Sequence, residues 1–120
     1  MAKFLIVDDS RVSRKFISNL IEEFGHEVVA EAANGLEGYD MYVQHKPDIA
    51  TLDVTMPLMG GIDCLRHILE KDPDANVVII SSVGKEKLIA EALQMGAKYF
   101  LTKPLEKEAA KTVFNSLLAP

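Results

Sequence analysis

Four apolar runs along this chain each stop at a polar cluster. Phe4-Leu5-Ile6-Val7 runs into Asp8-Asp9, and Ile49-Ala50-Thr51-Leu52 runs into Asp53. Val77-Val78-Ile79-Ile80 runs into Ser81-Ser82, and Tyr99-Phe100-Leu101-Thr102 into Lys103-Pro104. Unbroken apolar runs of this length, bounded by turn residues, predict strands buried on both faces of a parallel sheet. Between them the apolar spacing lengthens to that of a helix. Val12, Phe16, Leu20, Ile21 and Phe24 form the first such stripe, and Gly25 stops it. Glu27 to Ala32 predicts another strand, closed by the turn dipeptide Asn34-Gly35. Leu36, Tyr39 and Val43 mark a second helix, which ends before Lys46-Pro47. Ile62, Leu65, Ile68 and Leu69 mark a third, and Leu88, Ala92 and Met95 a fourth. Ala110, Val113, Phe114 and Leu117 mark a fifth.

The pattern is five βα units with no linker, low-complexity tract or internal repeat. Right-handed crossovers put helices on both faces of the sheet. The predicted class is therefore α/β, a doubly wound five-stranded parallel sheet in the order 2-1-3-4-5, with its switch point between strands 1 and 3. Ligands of such sheets bind in the crevice beyond the carboxyl ends of the strands. Asp8, Asp9, Asp53, Ser81, Ser82 and Lys103 would meet there.

Composition narrows the class. A chain of 120 residues predicts one domain, residues 1–120, with room for a proper core. The apolar fraction is 48% and the charged fraction 26%, values of a soluble globular protein. No apolar run approaches the ~20 residues that span a bilayer, and a strand starting at Lys3 or Phe4 leaves no room for a signal peptide. The single cysteine, Cys64, excludes an internal disulfide and suits a reducing cytoplasm. A net charge of −5 argues against non-specific nucleic-acid binding. Charge is uneven: Lys85 to Lys111 holds six lysines against four glutamates, which is either a solvated helix surface or a docking face for an acidic partner.

Three carboxylates in one crevice repel one another unless a cation neutralises them. All-oxygen ligands suit one Mg²⁺ ion, and Lys103 alone does not balance three acids. With a metal in place, a carboxylate can attack phosphorus and form an aspartyl phosphate. Lys103 and a Ser81 or Ser82 hydroxyl would then stabilise the phosphoryl oxygens. Other candidates read as structure. Gly60-Gly61 shapes the loop before the third helix; His26, His45 and His67 match no metal spacing and read as surface residues. Cys64, Met41, Met56, Met59 and Met95 read as packing or loop residues.

The strings LIVDDS, EAANG, LDVTMPLMGGID, VVIISS and GAKYFLTKPL resemble the response-regulator receiver domain of two-component systems, of the stand-alone CheY-like type. The resemblance runs from about Lys3 to Leu118 and implies a flavodoxin-like (βα)5 fold with no output domain. It implies that Asp53 accepts a phosphoryl group from a histidine kinase phosphohistidine or a phosphotransfer protein. It further implies that Asp9 binds Mg²⁺ directly, that Asp8 helps position its ligands, and that the Thr55 backbone carbonyl joins them. Ser81 is the implied switch hydroxyl, Lys103 the implied phosphoryl partner, and Phe100 the aromatic switch. Pro57, Gly61 and Pro104 shape the surrounding loops, with a Lys103-Pro104 bond of the kind that is often cis. Phe100 lacks the hydroxyl of the tyrosine common in chemotaxis members, and Ser81 replaces the frequent threonine.

The implied activity is a phosphorylation switch that promotes its own phosphorylation and dephosphorylation, signals through protein contact, and is not a turnover enzyme. Its implied setting is the cytoplasm, as a monomer or weak phosphorylation-dependent dimer, with neither nucleic acid nor membrane as partner. The output face would be helix 4, strand 5 and helix 5. A phosphorelay intermediate or a phosphate sink are alternatives. A Mg²⁺-dependent aspartate-nucleophile phosphohydrolase is a remoter one, since its general-acid aspartate would fall on Thr55. A flavodoxin-like FMN carrier fits poorly, because Asp8-Asp9 would repel the FMN phosphate.

Overall fold

The computed structural model describes residues 1–120. Its elements are β1 (Lys3–Val7), α1 (Arg11–Glu23), β2 (Glu27–Ala32), α2 (Gly35–His45) and β3 (Ile49–Leu52). They continue with α3 (Gly61–Lys71), β4 (Val77–Ser81), α4 (Glu86–Met95), β5 (Tyr99–Thr102) and α5 (Lys107–Leu118). The strands form one parallel sheet in the order β2-β1-β3-β4-β5, as the pattern predicts. It is the flavodoxin-like arrangement. No helix is long and apolar enough to cross a membrane.

Local chemistry sets the ends of the elements. The Ser10 hydroxyl accepts the Ser13 N–H at 3.2 Å and caps α1. Asn34 Oδ1 accepts the Glu37 N–H at 2.9 Å, while the Glu37 carboxylate accepts from Ala33 N–H and Asn34 Nδ2. That reciprocal capping box fixes the start of α2. Gly25, with φ +89°, follows α1 as the sequence predicts.

Side chains alternate across each strand, so the sheet separates two cores. Leu5, Val7, Ala50, Leu52, Val77 and Ile79 face α2, α3 and α4. Phe4, Ile6, Ile49, Val78, Ile80 and Leu101 face α1 and α5, where Phe4 and Phe114 meet edge to face at 4.9 Å. Cys64 is fully buried in the first core as a packing residue.

Four readings change. On α1, Val12 and Phe16 are 80% and 49% exposed, and the buried stripe is Ile17, Leu20 and Ile21. Phe16 and Val12 lie about 100° and 140° round the helix from buried Ile17, on the flank turned toward Lys103 and Pro104. On α2, Leu36 and Val43 face solvent, and Gly35, Gly38 and Tyr42 face inward. A Cβ at Gly38 would lie 2.8 Å from a Val7 methyl, so close helix–sheet contact replaces side-chain packing there. Finally, β5 is an edge strand with only Leu101 buried. Its run of apolar residues does not mark burial on both faces. His26 also differs from a free surface residue: its Nδ1 accepts the Ala2 N–H at 3.1 Å, and its ring lies on Phe4.

Candidate functional site

The ends of three strands, β1, β3 and β5, deliver the charged components of the crevice. Asp53 follows β3, and its N–H donates to the Val7 carbonyl at 2.9 Å, which docks it beside the end of β1. Asp8 follows β1 and donates its N–H to the Ala32 carbonyl at 3.0 Å. Asp8 Oδ1 accepts the Ser10 N–H at 2.9 Å, folding the side chain back on the start of α1. Lys103 follows β5, and its N–H donates to the Ser81 carbonyl at 2.8 Å. The Lys103-Pro104 peptide is cis.

Lys103 Nζ joins the two buried acids. It donates to Asp53 Oδ2 at 3.1 Å and lies 2.7 Å from Asp8 Oδ2. The Asp8 contact is an ion pair without aligned hydrogen-bond geometry, so Oδ2 has no aligned donor. Asp53 Oδ1 accepts the Val54 N–H at 2.7 Å. Burial alone would lower the Lys103 pKa, but Asp8 and Asp53 outweigh it and hold the ammonium above the ordinary lysine range.

Asp9 is exposed at the rim. It still belongs to the cluster, since Asp8, Asp9 and Asp53 each offer a carboxylate oxygen and these atoms all lie within 4.8 Å of one another. Three carboxylates at that spacing around one ammonium leave excess negative charge. The donor set is entirely hard oxygen, so the residues fit a divalent ion such as Mg²⁺.

The loop after β3 is held by a close approach that requires glycine. A Cβ on Gly61 would lie 2.0 Å from the Asp53 carbonyl oxygen, and the Gly61 N–H donates to the Val54 carbonyl at 2.9 Å. The expected loop role of Gly61 thus has a definite cause. Thr55 and Pro57 lie exposed in the same loop.

Ser81 ends β4 with its hydroxyl fully buried and without a hydrogen-bond partner. Phe100 lies on β5 in register with Ile79 and is 47% exposed, outside the acid–lysine cluster. Of the expected site residues, Asp8, Asp9, Asp53 and Lys103 come together directly. Ser81 reaches them through its backbone.

Arg14 is absent from the sequence-derived set. Its Nη1 donates to the Asp8 carbonyl at 2.6 Å, and its Nε to Glu31 Oε1 on β2 at 3.2 Å. Lys103 is therefore not the only cation touching the acid loop. The available signal was position: Arg14 follows the cap Ser10 by one helical turn, which returns it to the loop.

The family description "Response regulator receiver domain" matches residues 4–115. The chain is 45% identical to the chemotaxis protein CheY of Listeria monocytogenes over 108 residues, covering 90% of this chain and 91% of that protein. It is 38% identical to CheY of Bacillus subtilis over 116 residues, covering 97% of each. The crystal structure of a CheX-CheY-BeF3-Mg complex from Borrelia burgdorferi superposes with a TM-score of 0.93 at 39% identity, covering 99% of this chain and 90% of that one.

Proposed function

Because the chain belongs to the response regulator receiver family, whose members accept phosphoryl groups and signal through protein contacts, we propose that Asp53 is its phospho-acceptor. The observation that carries this is the cluster at the strand ends, with Lys103 shared between Asp8 and Asp53 inside a set of three acids. A carboxylate oxygen of Asp53 attacks the phosphorus of a donor phosphohistidine. The new bond is the aspartyl O–P bond, the bond broken is P–N, and the electron pair returns to the donor imidazole.

Asp8, Asp9 and Asp53, with the Thr55 carbonyl, would hold Mg²⁺, which when bound neutralises phosphoryl charge and polarises a phosphoryl oxygen. Lys103 keeps its proton and turns from a carboxylate-only environment toward the added oxygens. Ser81 enters this environment with an unsatisfied buried hydroxyl, a group that costs about 1–3 kcal/mol to leave unpaired. A phosphoryl oxygen gives that hydroxyl an acceptor, so phosphorylation favours the conformer in which Ser81 turns inward. Phe100 then moves into the space beneath the β4–α4 loop.

The receiver is a signalling switch, and in our reading it promotes its own phosphorylation and dephosphorylation. Its donor is a histidine kinase or phosphotransfer protein, and its downstream protein docks on α4, β5 and α5. Support for that face comes from half-exposed Tyr99 and Phe100 beside exposed Lys87 and Lys111. Lys107 is committed elsewhere, to Glu23 of α1.

Incubation with phosphoramidate or acetyl phosphate and Mg²⁺ tests the assignment. One phosphoryl group should be added, labile to base and hydroxylamine, and Asp53→Asn should abolish it. Equal labelling of that variant at another residue would remove Asp53 from the role.

A further inference from the structure

The Arg14 side chain is only 17% exposed, although arginine ordinarily keeps its head in water. Its guanidinium bridges the loop after β1 and strand β2, donating to the Asp8 carbonyl at 2.6 Å and to the Glu31 carboxylate at 3.2 Å. A guanidinium is a planar fork, so bonds from two of its nitrogens fix its plane as well as its position. The Asp8 carbonyl belongs to the peptide that links Asp8 to Asp9. Holding that oxygen sets the peptide plane, and with it the direction in which Asp9 leaves the chain. Asp8 is already fixed by Ser10 N–H and Lys103, whereas Asp9 is exposed.

We propose that Arg14, braced by Glu31, is a positioning residue that presents Asp9 to the divalent ion by fixing the Asp8–Asp9 peptide. This inference rests on the metal reading of the acid cluster. Glu31 has a second part in it. A lone guanidinium beside the loop would oppose a bound cation, and the Glu31 carboxylate offsets that charge while holding the fork in place. The pair thus supplies geometry at little electrostatic cost to the metal.

The two parts give opposite signatures when taken away. If Arg14 acts through geometry, Arg14→Ala and Glu31→Gln both weaken metal binding. If it acts as a point charge, Arg14→Ala tightens binding and only Glu31→Gln weakens it. The measurement is Mg²⁺ binding to the unphosphorylated protein by titration calorimetry, with the metal-free melting temperature of each variant alongside.

Arg14→Ala should weaken Mg²⁺ by about tenfold, the range of other residues that orient metal ligands. Glu31→Gln should weaken it in the same direction. Arg14→Lys should recover little, because an ammonium lacks the fork. The double variant should lose less than the two single losses added together, because both singles undo the same fork. Unchanged or tighter binding in Arg14→Ala overturns the proposal, as does full recovery by Arg14→Lys. If Arg14→Ala fails to fold, Arg14→Lys decides, since it keeps the charge and loses the fork: weakened affinity with an unaltered metal-free melting temperature supports the brace, and wild-type affinity overturns it. If the wild type shows no saturable Mg²⁺ binding, the metal reading falls first and the brace falls with it. Wild-type binding with unaffected variants removes the brace alone.

Discussion

Single residues at the strand ends carry opposing demands of charge and burial. Asp8, Asp9 and Asp53 crowd one ammonium, so removing one acid relieves repulsion in the metal-free protein. Asp9→Asn should therefore melt higher than wild type without metal. Added Mg²⁺ should raise the wild-type melting temperature by mass action and the variant's much less. A wild type insensitive to Mg²⁺ would mean that the three acids do not share an ion. At Gly61 the constraint is steric: a Cβ 2.0 Å from the Asp53 carbonyl forces the acceptor loop to shift. Gly61→Ala should cost roughly 1–3 kcal/mol in denaturant unfolding and slow phosphorylation as well. Cys64 is governed by burial, which pushes its thiol from 9.0 up to about 12. Below 9.0 both folded and unfolded chains keep the thiol protonated, and above it only the unfolded chain ionises readily. Cys64 should thus help lower the melting temperature as pH rises from 9.0 toward about 12, a loss that Cys64→Ala should reduce. The acids and Lys103 were legible because each follows an apolar run. Arg14 was not, because a partner made of a backbone carbonyl leaves no trace in residue identity.

At the scale of elements, periodicity identified all five helices but misplaced the inner face of two. The α1 sequence contains two overlapping stripes, one starting Val12-Phe16 and one running through Ile17, Leu20 and Ile21. Only the second faces the sheet, for exposed Phe16 and buried Ile17 are neighbours about 100° apart around the helix. Spacing cannot tell the stripes apart, since both run through Leu20 and differ only in which flank of it the sheet covers. Val12→Ser should shift stability by no more than about 0.5 kcal/mol, while Ile17→Ala should cost about 2–5 kcal/mol. Equal costs in chemical denaturation would return Val12 to the core. On α2 the misleading signal was glycine itself, which an apolar count passes over. Gly38 faces Val7 because only a residue without a Cβ lets helix and strand approach this closely. The strands were more legible, because a fully apolar run between turns has few other readings. Even so, the β5 run lies at an edge, where hydrophobicity does not guarantee burial.

The whole molecule is a single layer of strand between two helical layers, and its site touches both. Strand order and switch point followed from the alternation of elements, which leaves few unknotted arrangements. Contacts between distant residues, such as Lys107 with Glu23, depend on how helices settle against each other and had no sequence signal. On the proposed output face, Lys87→Glu and Lys111→Glu should weaken partner capture by the phosphorylated protein and leave Asp53 labelling intact. Loss of capture only on changing exposed Asn19 of α1 would instead reject that face and favour a phosphorelay role.

The alternation of side chains across the sheet has one more consequence. Ser81 continues the row of Val77 and Ile79, on the side of α2, α3 and α4, whereas Lys103 continues the row of Leu101, on the side of α1 and α5. The acceptor thus addresses two compartments through different side chains, with a wall of backbone between them. Substitutions far apart on either side of that wall should combine additively. The proposed output face draws on both compartments, α4 from one and α5 from the other, so a partner seated there would read the same phosphoryl group from two sides at once.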